Sequence, residues 1–338
     1  MTCSTASRWA FDIDMGIWTD LWRTEVKGWA FGHIGDEVAI EANKRYVSIM
    51  LRQMRIVNAR VAFSRFYGTV EFYGRIPHLS GAPFEFASVT TPSQLRDIRR
   101  KDLNNFVIGS KRLLGPVPYV GGDLEIEIGL FAIKSQDLLM PYLDLIEDLS
   151  TAAGLAFVNV AAPYIATIKK GATALIRPEG SASLEIGASL TFPTVQAGTY
   201  FAARLAGGGR DLSKFSLDDS GRLLDDQRRL VSDVPYLVFS ITEAAVRDDW
   251  HQIPAVSAAY NQLTQAIHDQ QSPKDIDSYI EHFRRVLLTD PDVLYEHAKQ
   301  IVEQTERRIN EVVRGQLTAR VEEAPALPPL SEIELTPL

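Results

Sequence analysis

The residues of this chain able to ligate a metal or move a proton near neutrality are few: six histidines, one cysteine and several paired acids. His33, His78, His251, His268, His282 and His297 are scattered along the sequence. His282 and His297 fall on two predicted neighbouring helices and could meet. Each adjoins a glutamate on a charged face, the setting of a solvent-exposed helical histidine, and neither has a carboxylate at the spacing metal sites use. Asp123, Glu125 and Glu127 recur every second residue, which puts them on one face of a strand; a solvated strand exterior explains them better than a calcium loop, which uses irregular backbone. The pair Asp218-Asp219 fits turn chemistry, while Asp225-Asp226 and Asp248-Asp249 stay ambiguous. Gly207, Gly208 and Gly209 with Arg210 offer backbone amides to an anion, but a strand-to-loop position reads as a connector because a phosphate cradle also wants a helix N-terminus.

The remaining constellations are excluded by counting. With Cys3 alone, neither a disulfide nor a sulfur-rich zinc site can form, and nothing requires an oxidising compartment. No G-x-x-x-x-G-K-[ST] phosphate loop, G-x-G-x-x-G turn, G-x-S-x-G elbow or H-E-x-x-H helix is present. No catalytic residue, metal or cofactor is therefore expected, and an enzyme with a site built from dispersed residues stays open as an alternative.

Charge carries more information than motifs. Residues 44–112 hold 13 Lys and Arg against 4 Asp and Glu, a local +9, which leaves −17 for the rest of a chain whose formal charge is −8. Arg52, Arg55, Arg60 and Arg65 stand in this segment near Phe63, Phe66 and Tyr67, a mixture suited to an anionic partner. The opposing reading turns the same cations inward, onto the acidic strand or the acidic C-terminal helices. Trp18 and Trp22 belong to a separate cluster, since four of the five tryptophans precede residue 30. These four arginines and two tryptophans are the candidate partner-binding or anion-binding residues.

The elements that must position them follow from periodicity. At 338 residues, 46% hydrophobic and 23% charged, the chain can bury one large core or two. Residues 1–43 read as a Trp-rich arm, packed as a lid or presented to another chain. Residues 44–247 read as a β-rich core: "YVSIMLRQMRIV", "RVAFSRFYGTVEFYGRI", "DLEIEIGLFAI", "ASLEIGASLTF" and "VPYLVFSITEA" carry strand patterns, and Ser220-Gly221 marks a hairpin. A helical hairpin over about 135–170 interrupts this core, its second arm containing the apolar run 155–168, too short to span a bilayer. Residues 248–318 read as three amphipathic helices, with Pro254, Pro273 and Pro291 each at a first helical position. Residues 319–338 form a Pro-rich acidic tail expected to be disordered. No repeat of fixed period is expected. The fold class is thus α+β, an antiparallel sandwich or jelly-roll-like core with an inserted helical hairpin and a C-terminal three-helix unit.

The strings "LRQMRIVNARVAFSRFYGTVEFYG", "RLLGPVPYVGGDLEIEIGLFAI" and "DDWHQIPAVSAAYNQL" resemble an uncharacterised bacterial domain associated with conflict or defence-type gene neighbourhoods, over most of residues 46–290. The resemblance implies a regulatory or effector-partner role and supplies no site residue. Together these observations lead to the expectation of a non-enzymatic interaction or regulatory module in the cytoplasm whose partner is another protein. Reversible association with an anionic membrane, through segment 44–112 and the helix near 155–168, is the alternative, and nucleic acid is a further anionic partner.

Overall fold

Alternating apolar residues and antiparallel pairing build most of the molecule. The computed structural model describes residues 30–57, 60–61, 64–79, 81, 83–89, 111–134, 182–205, 211–318 and 327–338. Residues 1–29 of the Trp-rich arm, Cys3 among them, the expected helical hairpin and Gly207 to Gly209 lie outside them, whereas the end of the arm read as 1–43 is no separate segment: Ala30–Ala39 is a strand of the sandwich.

One sheet runs β1 (Ala30–Ala39), β9 (Gln196–Ala203), β12 (Tyr236–Ala244), β2 (Tyr46–Arg55), β6 (Lys111–Pro118), all neighbours antiparallel. The other places β4 (Ser64–Ile76) between β7 (Leu124–Lys134) and the pair β3 (Arg60–Val61) and β5 (Phe84–Val89), with β8 (Ala182–Phe192) beyond β7. Inward residues of both sheets, among them Val47, Ile49, Leu51, Leu237 and Phe239 from the first and Val70, Phe72, Ile126, Ile128 and Ile186 from the second, share one buried core. That is a sandwich, and the expected α+β class holds. β12 is central and buried over its first six residues, as its unbroken apolar run requires. Pro116 and Pro118 sit in edge strand β6, where a missing N–H is tolerated. At Gly115 (φ +82) an added Cβ would lie 2.2 Å from the Val47 carbonyl oxygen, so only glycine fits.

The back of the first sheet carries a second, smaller core in which Phe201, Tyr236 and Val238 are covered by Phe215, Leu223 and Val231. This cover contains a repeat that the sequence reading missed: 217–223 reads LDDSGRL and 224–230 reads LDDQRRL. In the first, which includes β10 (Ser216–Leu217) and β11 (Leu223–Leu224), Asp218 accepts the N–H groups of Ser220 (2.9 Å) and Arg222 (2.8 Å) and the Arg222 Nε (2.7 Å). In the second, Asp225 accepts those of Gln227 and Arg229 (2.9 Å each) and the Arg229 Nε (3.1 Å). Gly221 (φ +76) and Arg228 (φ +61) hold the left-handed position of the two turns. The ambiguity over Asp225 is resolved by this geometry: like Asp218 it closes a turn.

The helical unit consists of α1 (Pro254–His268), α2 (Pro273–Thr289) and α3 (Tyr295–Thr318). Pro254 and Pro273 open their helices as expected, the latter after a Ser272 cap that accepts the Asp275 N–H. Pro291 does not: α3 begins four residues later, and Asp290 instead accepts the Asp292 N–H (2.9 Å) in the connecting turn. The apolar seam of α3, at Ala298, Ile301, Thr305, Ile309 and Val312 with Leu294 just ahead of the helix, is buried throughout. It joins Val256, Leu263, Phe283 and Leu287 in a core separate from that of the sandwich.

The tail is the main correction. Residues 327–338 are seated on the helical unit, with Leu327, Leu330 and Ile333 buried in its core; 319–326 lie outside the described residues. Overall acidity and proline content suggested disorder, but the strap is extended on either side of one 3-10 turn (Leu330–Glu332), a backbone that proline favours before it, and its apolar side chains complete a face that three helices leave uncovered.

Candidate functional site

The strap lies along α3 in a repeating register. Gln304 Nε2 donates to the Glu334 carbonyl oxygen (2.9 Å) and an Arg308 nitrogen to that of Glu332 (2.9 Å). At Thr336, Gln300 Oε1 accepts both the N–H and the hydroxyl (3.1 Å each), and the carbonyl meets His297 Nε2 (3.0 Å). Residues 308, 304 and 300 are one helical turn apart, about 6 Å per step, while strap residues 332, 334 and 336 advance about 6.7 Å per two residues of extended chain. Those two periods match closely enough for successive polar side chains of one helix face to read alternate carbonyls of an antiparallel segment. At the start of the strap, Tyr260 of α1 donates to the Pro328 carbonyl oxygen (2.6 Å), and burial pushes its hydroxyl up to about 12, which keeps it a neutral donor.

The main-chain contacts read no side chain; beside the Thr336 hydroxyl held by Gln300 Oε1, selectivity rests on the apolar positions Leu327, Leu330 and Ile333 and on partly buried Leu335. The arrangement therefore has the chemistry of a groove for an extended polypeptide segment, here filled by residues of the same chain.

Beside the far end of the groove, the helical unit docks on the sandwich through buried polar groups. Arg247, fully buried, donates to the Asp292 carboxylate (3.1 Å), the Asp292 carbonyl oxygen (3.0 Å) and Asp249 Oδ1 (2.8 Å). Arg112 of β6 lies 3.5 Å from Asp249. Tyr46 of β2 stacks on His297, with ring centroids 5.6 Å apart, and its hydroxyl is 2.9 Å from Nδ1. Burial holds His297 below the ordinary imidazole value, with the Thr336 carbonyl bond acting the other way. His78, also buried, is held low by the same cause against a bond to Pro291. The expectation that His282 and His297 are both exposed thus holds for His282 alone; His297 is 0% exposed, because it sits in the first turn of α3 where the strap and β2 close over it.

The six sequence candidates do not form this site. Arg52 and Arg55 share the back face of β2, where Arg52 Nε donates to Ser240 Oγ (3.0 Å) and Arg55, 6% exposed, donates to the Ser232 carbonyl oxygen (2.7 Å). Arg60 and Arg65 are cross-strand partners in the β3–β4 hairpin. Trp18, Trp22 and segment 155–168 lie outside the described residues. Several cations of the basic segment turn toward acids of the same fold: Arg45 to Glu243 (3.8 Å), Arg75 to Glu125 (3.6 Å) and Arg112 to Asp249 (3.5 Å). Arg75 and Arg112 are about half exposed, so their pairs contribute little stability. The acidic strand is less solvated than expected: Glu127 is 2% exposed and Glu125 is half-buried, so that face of β7 is covered.

Sequence reasoning missed the strap, His297 and Arg247. One usable signal was present, in that His297, Gln300, Gln304 and Arg308 form a polar stripe at helical spacing beside the apolar seam of α3, facing a tail with apolar residues at 327, 330, 333 and 335. Among the described residues no group of three or more His, Cys, Asp or Glu is placed to hold a metal, and no helix is long and apolar enough to cross a membrane. Comparison with protein-family models, curated proteins and solved structures finds no match to this chain.

Proposed function

We propose that the protein is a non-enzymatic interaction module whose helical unit receives an extended, apolar, proline-containing polypeptide segment, with residues 327–338 as the occupant in cis. The observation that carries this reading is the register of Arg308, Gln304 and Gln300 on Glu332, Glu334 and Thr336. Helix side chains directed at main-chain groups of a separate segment are a recognition arrangement that does not depend on that segment being covalently attached. A partner in trans competes with a tethered strap whose effective concentration is of millimolar order, so the module engages only segments that fit better or arrive when the strap is displaced. A cytoplasmic setting agrees with the single cysteine. A place in a bacterial defence or stress-signalling assembly is the context that the sequence resemblance supplies.

The test uses the full-length chain carrying Leu330→Asp and Ile333→Asp, which unseats the strap, and a fluorescent peptide of sequence 327–338. Saturable binding to this variant, with much weaker binding to the unaltered chain and to a peptide with its apolar positions scrambled, is the expected result. Equal binding of both peptides, or none at millimolar concentration with circular dichroism unchanged, would remove the groove from consideration.

A further inference from the structure

One imidazole connects the strap, α3 and the sandwich. His297 is fully buried, with Nδ1 2.9 Å from the Tyr46 hydroxyl and Nε2 3.0 Å from the Thr336 carbonyl oxygen. These bonds admit a single tautomer. A carbonyl only accepts, so Nε2 carries the proton; Nδ1 is then the acceptor, and the Tyr46 O–H donates to it. Completing the relay, the Tyr46 oxygen accepts the Leu294 N–H (3.1 Å) at the entry to α3. We propose that His297 is a proton-operated release for the strap: a proton added at Nδ1 reverses the bond with Tyr46 and unseats residues 327–338 from α3.

The physical reason lies in what each neighbour is able to do. A doubly protonated imidazole donates from both nitrogens, so the Tyr46 hydroxyl would have to turn its own proton away while still accepting the Leu294 N–H. A buried donor without a partner and a buried charge both favour a state in which water reaches the ring. β2 and α3 are each fixed by their own cores, whereas the strap holds its place by three buried side chains and a row of edge hydrogen bonds, and is the cheapest element to lift.

The charged groups around the ring do not neutralise the added proton. Asp292 and Asp249 are both engaged by Arg247. Arg45, 3.8 Å from Glu243, donates to the Leu338 carbonyl oxygen (3.3 Å) and adds positive charge at the strap's end. Asp290 accepts the Asp292 N–H. On α3 itself Glu296 pairs with Lys299, and on the strap Glu332 and Glu334 use their carbonyls toward α3 and are exposed. The inference rests on the groove reading for its consequence, since releasing the strap is what would open the groove to a segment in trans.

Hydrogen exchange of the full-length chain, followed by mass spectrometry between pH 5 and 8 and corrected for intrinsic rates, tests it. The opening constant of the strap amides, Glu332, Ile333 and Thr336 among them, is expected to rise by up to about tenfold per pH unit below about 6.5 and to stay well above that of α2 core amides, which open only with the whole fold. His297→Gln, which retains a donor and an acceptor, is expected to abolish this dependence. A strap whose opening is unchanged by pH, an identical pH profile in His297→Gln, or strap and α2 amides that open with one common constant would each overturn the proposal. If His297→Gln fails to fold, the contrast between strap and α2 in the unaltered chain still decides. Peptide binding at pH 7.5 by the Leu330→Asp, Ile333→Asp chain is independent of this result, so failure of the release and failure of the groove can be told apart.

Discussion

The junction around Arg247 and the strap on α3 both join distant parts of the chain through polar contacts, yet they are built in opposite ways. At the junction, side chain meets side chain out of water, with Arg247 at 0% and Asp292 at 1% exposure. On the strap, half-buried helix side chains meet main-chain oxygens, and full burial is confined to a few apolar residues. A buried pair is costly to break because the survivor is left charged and dry. A surface row loses little, since water replaces each partner. The first contact is suited to permanent docking and the second to exchange.

That contrast can be broken experimentally. The largest effect is expected from Asp292→Ala, which leaves Arg247 without its buried carboxylate: about 3–5 kcal/mol of global stability, read from the denaturant midpoint, with Arg247→Met plus Asp292→Leu recovering most of it. A loss below 1 kcal/mol would show that the junction tolerates water. Next comes Leu330→Ala, expected to cost about 2–3 kcal/mol in strap protection by hydrogen exchange while barely shifting the global midpoint, unlike Leu263→Ala inside α1, where the same order of cost appears globally.

Acid should weaken the junction from both sides. Burial holds His78 and His297 below the ordinary imidazole value of about 6.5, so as pH falls through that value the unfolded chain binds protons that the folded chain refuses. Stability therefore declines with falling pH, by at most about 1.4 kcal/mol per unit for each group, until the folded imidazoles titrate as well. A midpoint constant between pH 7.5 and 5.5 would contradict this. The smallest effect is expected from Gln304→Ala, which removes one bond to the Glu334 carbonyl and should reduce strap protection by less than about 1 kcal/mol with no change in the global midpoint.

How much was legible beforehand follows the range of the interactions involved. Strands β2, β4, β7, β8 and β12, the turn at Ser220-Gly221 and the apolar seams of α2 and α3 were readable because each is a repeating pattern within one element, whereas β1 was assigned to the arm and the Pro-rich β6 was not read as a strand. The position of His297 was not, since an adjoining glutamate describes the next side chain around the helix and not what lies over the ring. Residues 327–338 of the tail were misread for a related reason. Composition averages over a segment, whereas burial at Leu327, Leu330 and Ile333 depends on a face supplied by residues far earlier in the chain. The repeat at 217–230 was present in the letters and overlooked, its two Asp turns differing only in using Gly221 or Arg228 at the left-handed position.

By itself the sequence determined the α+β class, the inward faces of the strands, the three C-terminal helices and the scarcity of catalytic motifs, because periodicity and composition act locally. Only the tertiary structure decided that a fully buried arginine joins the two cores, that several cations of the +9 segment pair with acids of the same fold, and that the end of the chain lies in register on α3. Those outcomes depend on which surfaces meet, and the desolvation of a meeting surface has no signature in the spacing of residues along a single element.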